Sequence, residues 1–124
     1  MDKIKSFTDL NAWKEGHKLV LITYKETKEF PKDELFGLTS QLRRSAVSIT
    51  SNIAEGFSRK SYKEKINFYF IALGSVTELQ NQFLIARDVG YIEENLFQEI
   101  ARQTIEVHKI INGLIKSSKN ILNS

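Results

Sequence analysis

Four cations and a tyrosine fall within seven residues of this chain: Arg59, Lys60, Tyr62, Lys63 and Lys65. Cationic side chains that neutralise phosphates release the counterions condensed on a nucleic acid, and an aromatic ring among them can stack on a base. The spacing therefore fits contact with RNA or DNA, without any element that would read a base sequence. Residues 57–65 carry these four cations against Glu64 alone, and the rest of the chain holds 14 basic and 14 acidic residues, so the formal net charge of +3 resides in this segment. The plainer alternative is a solvated turn in which Tyr62 packs as a staple for the helix that follows. A second pair able to do chemistry is Arg102 and His108. An arginine can stabilise phosphate charge and a histidine can transfer a proton, which together suit cleavage of a phosphodiester. Six positions on a regular helix lie about 120° apart, so joint action requires a second subunit or a distorted helix. Otherwise Arg102 is solvated and His108 is partly packed.

Other chemistries find little support. The two histidines, His17 and His108, do not follow a glutamate by three positions, and the chain has no cysteine, so neither a di-iron bundle motif nor a thiolate metal site is present. The glycines form neither a phosphate-binding loop nor a dinucleotide fingerprint. No cofactor and no metal are expected. Glu55 and Glu78 are the best candidates for buried carboxylates, with a structural, hydrogen-bonded role. The absence of cysteine fits a reducing compartment. The N-terminal MDKIKSFTDL lacks the apolar core of a signal peptide, and the longest strongly apolar run, residues 68–74, is too short to cross a bilayer. A soluble cytoplasmic protein is expected.

The elements that must position these residues are helical. Within residues 38–56, Leu42, Ala46, Ile49 and Ile53 recur at the spacing of a core-facing stripe. Gln41, Ser45, Ser48, Asn52 and Glu55 follow the same spacing on a neighbouring face that is small and polar. Small residues let another backbone approach, and the asparagine and glutamate can join a buried polar network; a wet face of unusual composition is the alternative. An earlier helix starts near Thr8, with Leu10, Trp13, Val20, Tyr24 and Thr27 on one face and Leu21 beside it, and ends at Pro31. Gly56 could close the second helix in a left-handed conformation. Ser61 and Glu64 form a capping box that opens a third helix. That helix is apolar nearly all round, from Ile66, Tyr69, Leu73, Val76 and Phe83 on one stripe to Phe70 and Leu84 beyond it, and a helix of that kind needs burial on more than one side. Phe97, Ile100, Thr104, Val107, Ile111, Leu114 and Ile115 give a fourth helix. The expected helices span about 8–30, 38–57, 61–89 and 93–119 of a single domain, 1–124. The short connections favour antiparallel neighbours.

GLTSQLRRSAVSITSNIAEG, in the second helix, resembles the core signature of the four-helix bundle proteins encoded in intervening sequences of bacterial 23S ribosomal RNA genes. FTDLNAWKEGHKL, FPKDELFGL and IALGSVTEL agree with it, so the likeness spans roughly residues 7–92. The resemblance implies an all-α, up-and-down antiparallel four-helix bundle assembling as a homo-oligomer, a ring of five. It implies no established catalytic residues. A relative of that family, the accessory protein of diversity-generating retroelements, works with a reverse transcriptase and RNA. The Arg102–His108 spacing is also similar to the motif of helical ribonucleases of the HEPN superfamily. The expected function is a non-catalytic oligomeric adaptor that contacts nucleic acid or a nucleic-acid enzyme such as a reverse transcriptase, with a ribonuclease using Arg102 and His108 as the alternative.

Overall fold

A computed structural model describes residues 3–124; the part of the expected domain formed by residues 1–2 lies outside them. Four helices dominate, α1 Asn11–Thr27, α2 Leu38–Ser58, α3 Tyr62–Asp88 and α4 Glu94–Leu122, and none of the described residues is in a strand. Each helix packs on the next and α4 returns to α1, while the diagonal pairs α1–α3 and α2–α4 make no close backbone approach and meet only through the shared core. Cross-helix pairs run in opposite directions along every adjacent pair. Arg44 meets Glu78 and Ser48 meets Ser75, so positions rise on α2 as they fall on α3. Gln80 meets Thr104, and Lys119 sits over the Phe70 ring. Gly16 lies against Ile49 and Thr50, while Thr27 meets Arg43. The described chain is an up-and-down antiparallel four-helix bundle.

The core stripe expected on α2 is fully buried: Leu42, Ala46, Ile49 and Ile53 are all shielded from solvent. The stripe on α4 is buried too, except Leu114, which is half-buried, and Ser118 continues it. Helix α1 departs from expectation. Its buried face is Ala12, Gly16, Leu19, Thr23 and Thr27, whereas Leu21 and Tyr24 are exposed. Two reasons account for this. Gly16 allows α2 to come close, since a Cβ there would already lie 3.3 Å from Ile49 and Thr50. The threonine hydroxyls donate to helix carbonyls one turn back, Thr23 to Leu19 at 2.6 Å and Thr27 to Thr23 at 2.7 Å. Each side chain then presents its methyl group to the core with no polar demand left over.

Element ends differ as well. Thr8 is not a cap: Ser6 caps a 3-10 turn, Phe7–Asp9, and Asp9 returns a bond to the Ser6 N–H. Helix α1 stops at Thr27 rather than running to residue 30, and α4 continues three residues past 119. Gly56 does not close α2 in a left-handed conformation, because it lies inside the helix. The left-handed residue is Gly90, with φ +87°. There the Tyr91 N–H bonds the Ala86 carbonyl and the Gly90 N–H bonds that of Arg87, a Schellman closure of α3. Gly56 is needed for space: a Cβ there would meet the Tyr69 ring at 2.6 Å and Phe68 Cβ at 3.0 Å. The side chains of Glu55 and Glu78 are not buried. They sit at the surface in ion pairs with Arg59 and Arg44, at 3.2 and 2.8 Å.

Overfilling at Gly56 costs about 1–3 kcal/mol, against roughly 1 kcal/mol gained by alanine in a helix. Gly56→Ala is therefore expected to lower stability by up to about 2 kcal/mol in denaturant unfolding. Gly74→Ala, with nothing within 4 Å of the added Cβ, should raise it by about 0.5–1 kcal/mol. Burial pushes the Tyr69 phenol up to about 12. A group whose folded value is raised stabilises fully below its unfolded value, so Tyr69 loses its contribution as pH climbs from about 10 to 12. The alkaline fall in melting temperature should be shallower in Tyr69→Phe than in the parent.

Candidate nucleic-acid interface

The connection from α2 to α3 is three residues long, because Gly56 brings the two helices together at this end. Ser61 caps α3, its hydroxyl accepting the Glu64 N–H at 3.2 Å and donating to the Glu64 carboxylate. The turn carries Arg59 and Lys60 and the first turn of α3 carries Lys63 and Lys65, so all four cations fall at one corner of the bundle, but their surroundings divide them. Lys65 Nζ donates to the Phe57 carbonyl at 2.6 Å and reaches that of Gly56 at 3.4 Å. It caps the C-terminus of α2, where the helix dipole favours a cation. It also lies near the Phe57 and Tyr62 rings, at 5.3 and 5.7 Å, and burial pushes its ammonium below the usual lysine range. Arg59 pairs with Glu55 and covers the Phe68 ring at 4.7 Å. Lys60 and Lys63 are exposed and have no ion-pair partner among the described residues. Tyr62 lies between them in sequence, half-buried. The corner brings together all five residues singled out from sequence, with Lys65 and Arg59 engaged by groups of the same chain and Lys60 and Lys63 facing solvent without a partner among the described residues.

The small polar face of α2 is split. Ser48 Oγ and Ser75 Oγ are 2.8 Å apart, and Asn52 Nδ2 donates to the Ser48 carbonyl and hydroxyl at 2.8 and 3.1 Å. Ser45 is fully buried, its hydroxyl without a partner in the structure. Ser48 thus joins α2 to α3 of the same chain, while Gln41 and Glu55 at the two ends of the face are exposed. Arg102 is exposed, and His108 is half-buried with Nδ1 3.2 Å from the Asn112 amide. His17 stacks on Trp13. Among the described residues no group of three His, Cys, Asp or Glu side chains could hold a metal ion, and no helix is long and apolar enough to cross a membrane.

The model of the family described as 23S rRNA-intervening sequence protein matches residues 8–113. The chain belongs to this family. A crystal structure of a protein of unknown function from the S23 ribosomal protein family of Bacteroides thetaiotaomicron is similar, with a TM-score of 0.78 at 23% identity. The likeness covers 85% of this chain and 95% of that one, and it shows a shared fold. No curated protein matches the chain. Helical architecture and family thus agree with what the signature in α2 implied.

A second surface went unremarked in the sequence. Tyr24, Phe36, Arg43, Arg44 and Val47 line an open groove of about 630 Å³ along α1 and α2. Its arginines are spoken for: Arg43 donates to Thr27 and covers the Tyr24 ring, and Arg44 pairs with Glu78. The adjacent Arg43-Arg44 pair and the Leu35-Phe36 step before α2 were the available signals, but pattern alone does not show that they share a groove.

Lys65 and Lys60 should separate in a stability measurement. Lys65→Met removes charge-assisted bonds to carbonyl oxygens and is expected to cost about 0.5–1.5 kcal/mol, reduced by partial solvent screening. Lys60→Gln should leave thermal unfolding unchanged. Equal behaviour of the two variants would mean that Lys65 does not cap α2.

Proposed function

We propose that the protein is a non-catalytic, oligomeric adaptor that contacts nucleic acid, or an enzyme acting on nucleic acid, at the α2–α3 corner. The observation that carries this reading is the pair of exposed lysines, Lys60 and Lys63, flanking Tyr62 without a carboxylate partner among the described residues. Cations not neutralised within the fold are the ones available to displace counterions from phosphates. Arg59 supplies a weaker, shared charge, and Lys65 holds the corner's shape. The oligomeric part of the reading is supported by the outer face of α3, where Phe70, Ile71, Leu84 and Ile85 remain exposed in the single chain. Phe70–Ile71 and Leu84–Ile85 form two apolar pairs about 20 Å apart along the helix, each a candidate contact point. Repetition of the corner around a ring of five would multiply weak phosphate contacts into useful avidity. A reverse transcriptase as the partner enzyme, and kinship with the accessory protein of diversity-generating retroelements, belong to this same proposal.

The test is a titration of fluorescent single-stranded RNA and DNA at several salt concentrations. The parent should bind with a steep salt dependence and without cleaving the strand. Each phosphate contact on a single strand contributes about 0.7 to the slope of log K against log salt, so Lys60→Gln/Lys63→Gln should flatten it by roughly 1.4 per engaged protomer. Tyr62→Ala should weaken binding further by about 1–3 kcal/mol if the ring stacks on a base. An unchanged slope in the double variant would move the interface elsewhere. Strand cleavage that disappears in His108→Ala would replace the adaptor with a ribonuclease.

A further inference from the structure

Phe36 is 94% exposed, the most exposed of the large apolar side chains described. It does not sit on a loose loop. The turn before it is a 3-10 helix, Lys32–Glu34, and the Gly37 N–H bonds back to the Glu34 carbonyl at 2.9 Å. Glu34 is anchored twice more: its carboxylate accepts the Leu38 N–H at 3.2 Å and the Tyr91 hydroxyl at 2.7 Å. The ring is therefore held out in water by an ordered, cross-braced turn, and little conformational freedom remains to be lost when it binds. Leu35 and Val47, both exposed, continue the apolar surface around its base.

Between α3 and α4 the same chain carries an apolar crevice of about 210 Å³. Phe83, Phe97 and Ile100 form its buried wall, and Leu84 and Ile105 stand exposed at its rim. Its polar groups make no demand on an occupant: Gln80 Nε2 donates to Thr104 Oγ1 at 3.1 Å, and that hydroxyl donates to the Ala101 carbonyl at 2.7 Å. A cavity of about 150 Å³ lined by apolar side chains accepts benzene, so this crevice has room for a phenyl ring.

We propose that Phe36 of one copy of this chain seats in the α3–α4 crevice of the next. The inference rests on the oligomeric reading above and names the contact that builds it. Phe36 lies on the α1–α2 side of the bundle and the crevice on the α3–α4 side, so no copy can fill its own. Both occupy the same end of the bundle, since the Arg44–Glu78 pair brings the N-terminal part of α2 level with the part of α3 that meets Thr104. Knob and hole are different surfaces, and such a heterologous contact propagates head to tail into a closed ring or an open filament. Around it, Leu35 and Val47 face the rim formed by Leu84 and Ile105, which extends the contact beyond one side chain.

The experiment uses two defective chains. Phe36→Ala removes the knob and keeps the crevice; Ala101→Phe fills the crevice and keeps the knob. By light scattering and sedimentation, the parent should be an oligomer larger than a dimer, and each variant alone should self-associate about tenfold or more weakly, as for loss of one aromatic anchor. Mixed, the two retain one intact knob and one intact hole per pair and should form a heterodimer of twice 14.3 kDa that grows no further. Should Ala101→Phe fail to fold by circular dichroism, Ile105→Lys blocks the crevice mouth from an exposed position. An oligomeric parent whose size survives in Phe36→Ala overturns the knob-and-crevice contact and leaves the oligomer standing. A mixture that stays monomeric while each variant is folded also overturns it. A parent that is monomeric at all concentrations overturns the contact and the oligomeric reading together.

Discussion

Gly56 against the Tyr69 ring, with Ser48 hydrogen-bonded to Ser75 further along, sets how closely α2 and α3 lie, and much else follows from that separation. Two helices packed this tightly at one end can be joined by three residues. A connection that short holds its two cations, Arg59 and Lys60, at the end of the bundle beside Lys63 on α3. The same closeness places Lys65, on the first turn of α3, within reach of the last carbonyls of α2. The basic corner is thus a product of core packing as much as of local composition.

Helices α1 and α3 depart in part from the usual assignment of polar and apolar residues. On α1, threonines point inward because a helix carbonyl one turn back absorbs each hydroxyl, while Leu21 and Tyr24 point out. On α3, aliphatic and aromatic residues point out as well as in, and Phe70, Ile71, Leu84 and Ile85 meet solvent in a single chain. Threonine thus takes interior positions on α1 while phenylalanine and isoleucine stand outside on α3. The proposed seating of Phe36 in a neighbour's crevice assigns part of that exposed apolar surface.

Charge at the corner shows the difference between composition and availability. All four cations count equally in the net charge, yet Lys65 is engaged with carbonyl oxygens, Arg59 shares a carboxylate and a ring, and Lys60 and Lys63 face water. An interface built on such a corner is necessarily modest in each protomer and depends on repetition. That dependence links the two proposals: assembly supplies the multiplicity, and the corner supplies the phosphate contacts.

The sequence by itself determined the four helices, the buried stripes of α2 and α4, the Ser61 cap of α3 and the family. Each is written in short-range periodicity or in a local motif, where one helix turn is enough to define it. The location of the excess charge was equally legible, because charge is a property of residues and not of their contacts. Tertiary structure alone decided that Gly56 serves a neighbouring ring rather than a helix end, and that Gly90 takes the left-handed position. It also decided that Thr23 and Gly16 face inward, that Glu55 and Glu78 lie at the surface, and which two of the four cations remain available. The physical reason is common to these cases. Glycine, threonine, glutamate and lysine are compatible with several environments, and only the partner brought across from another helix selects among them.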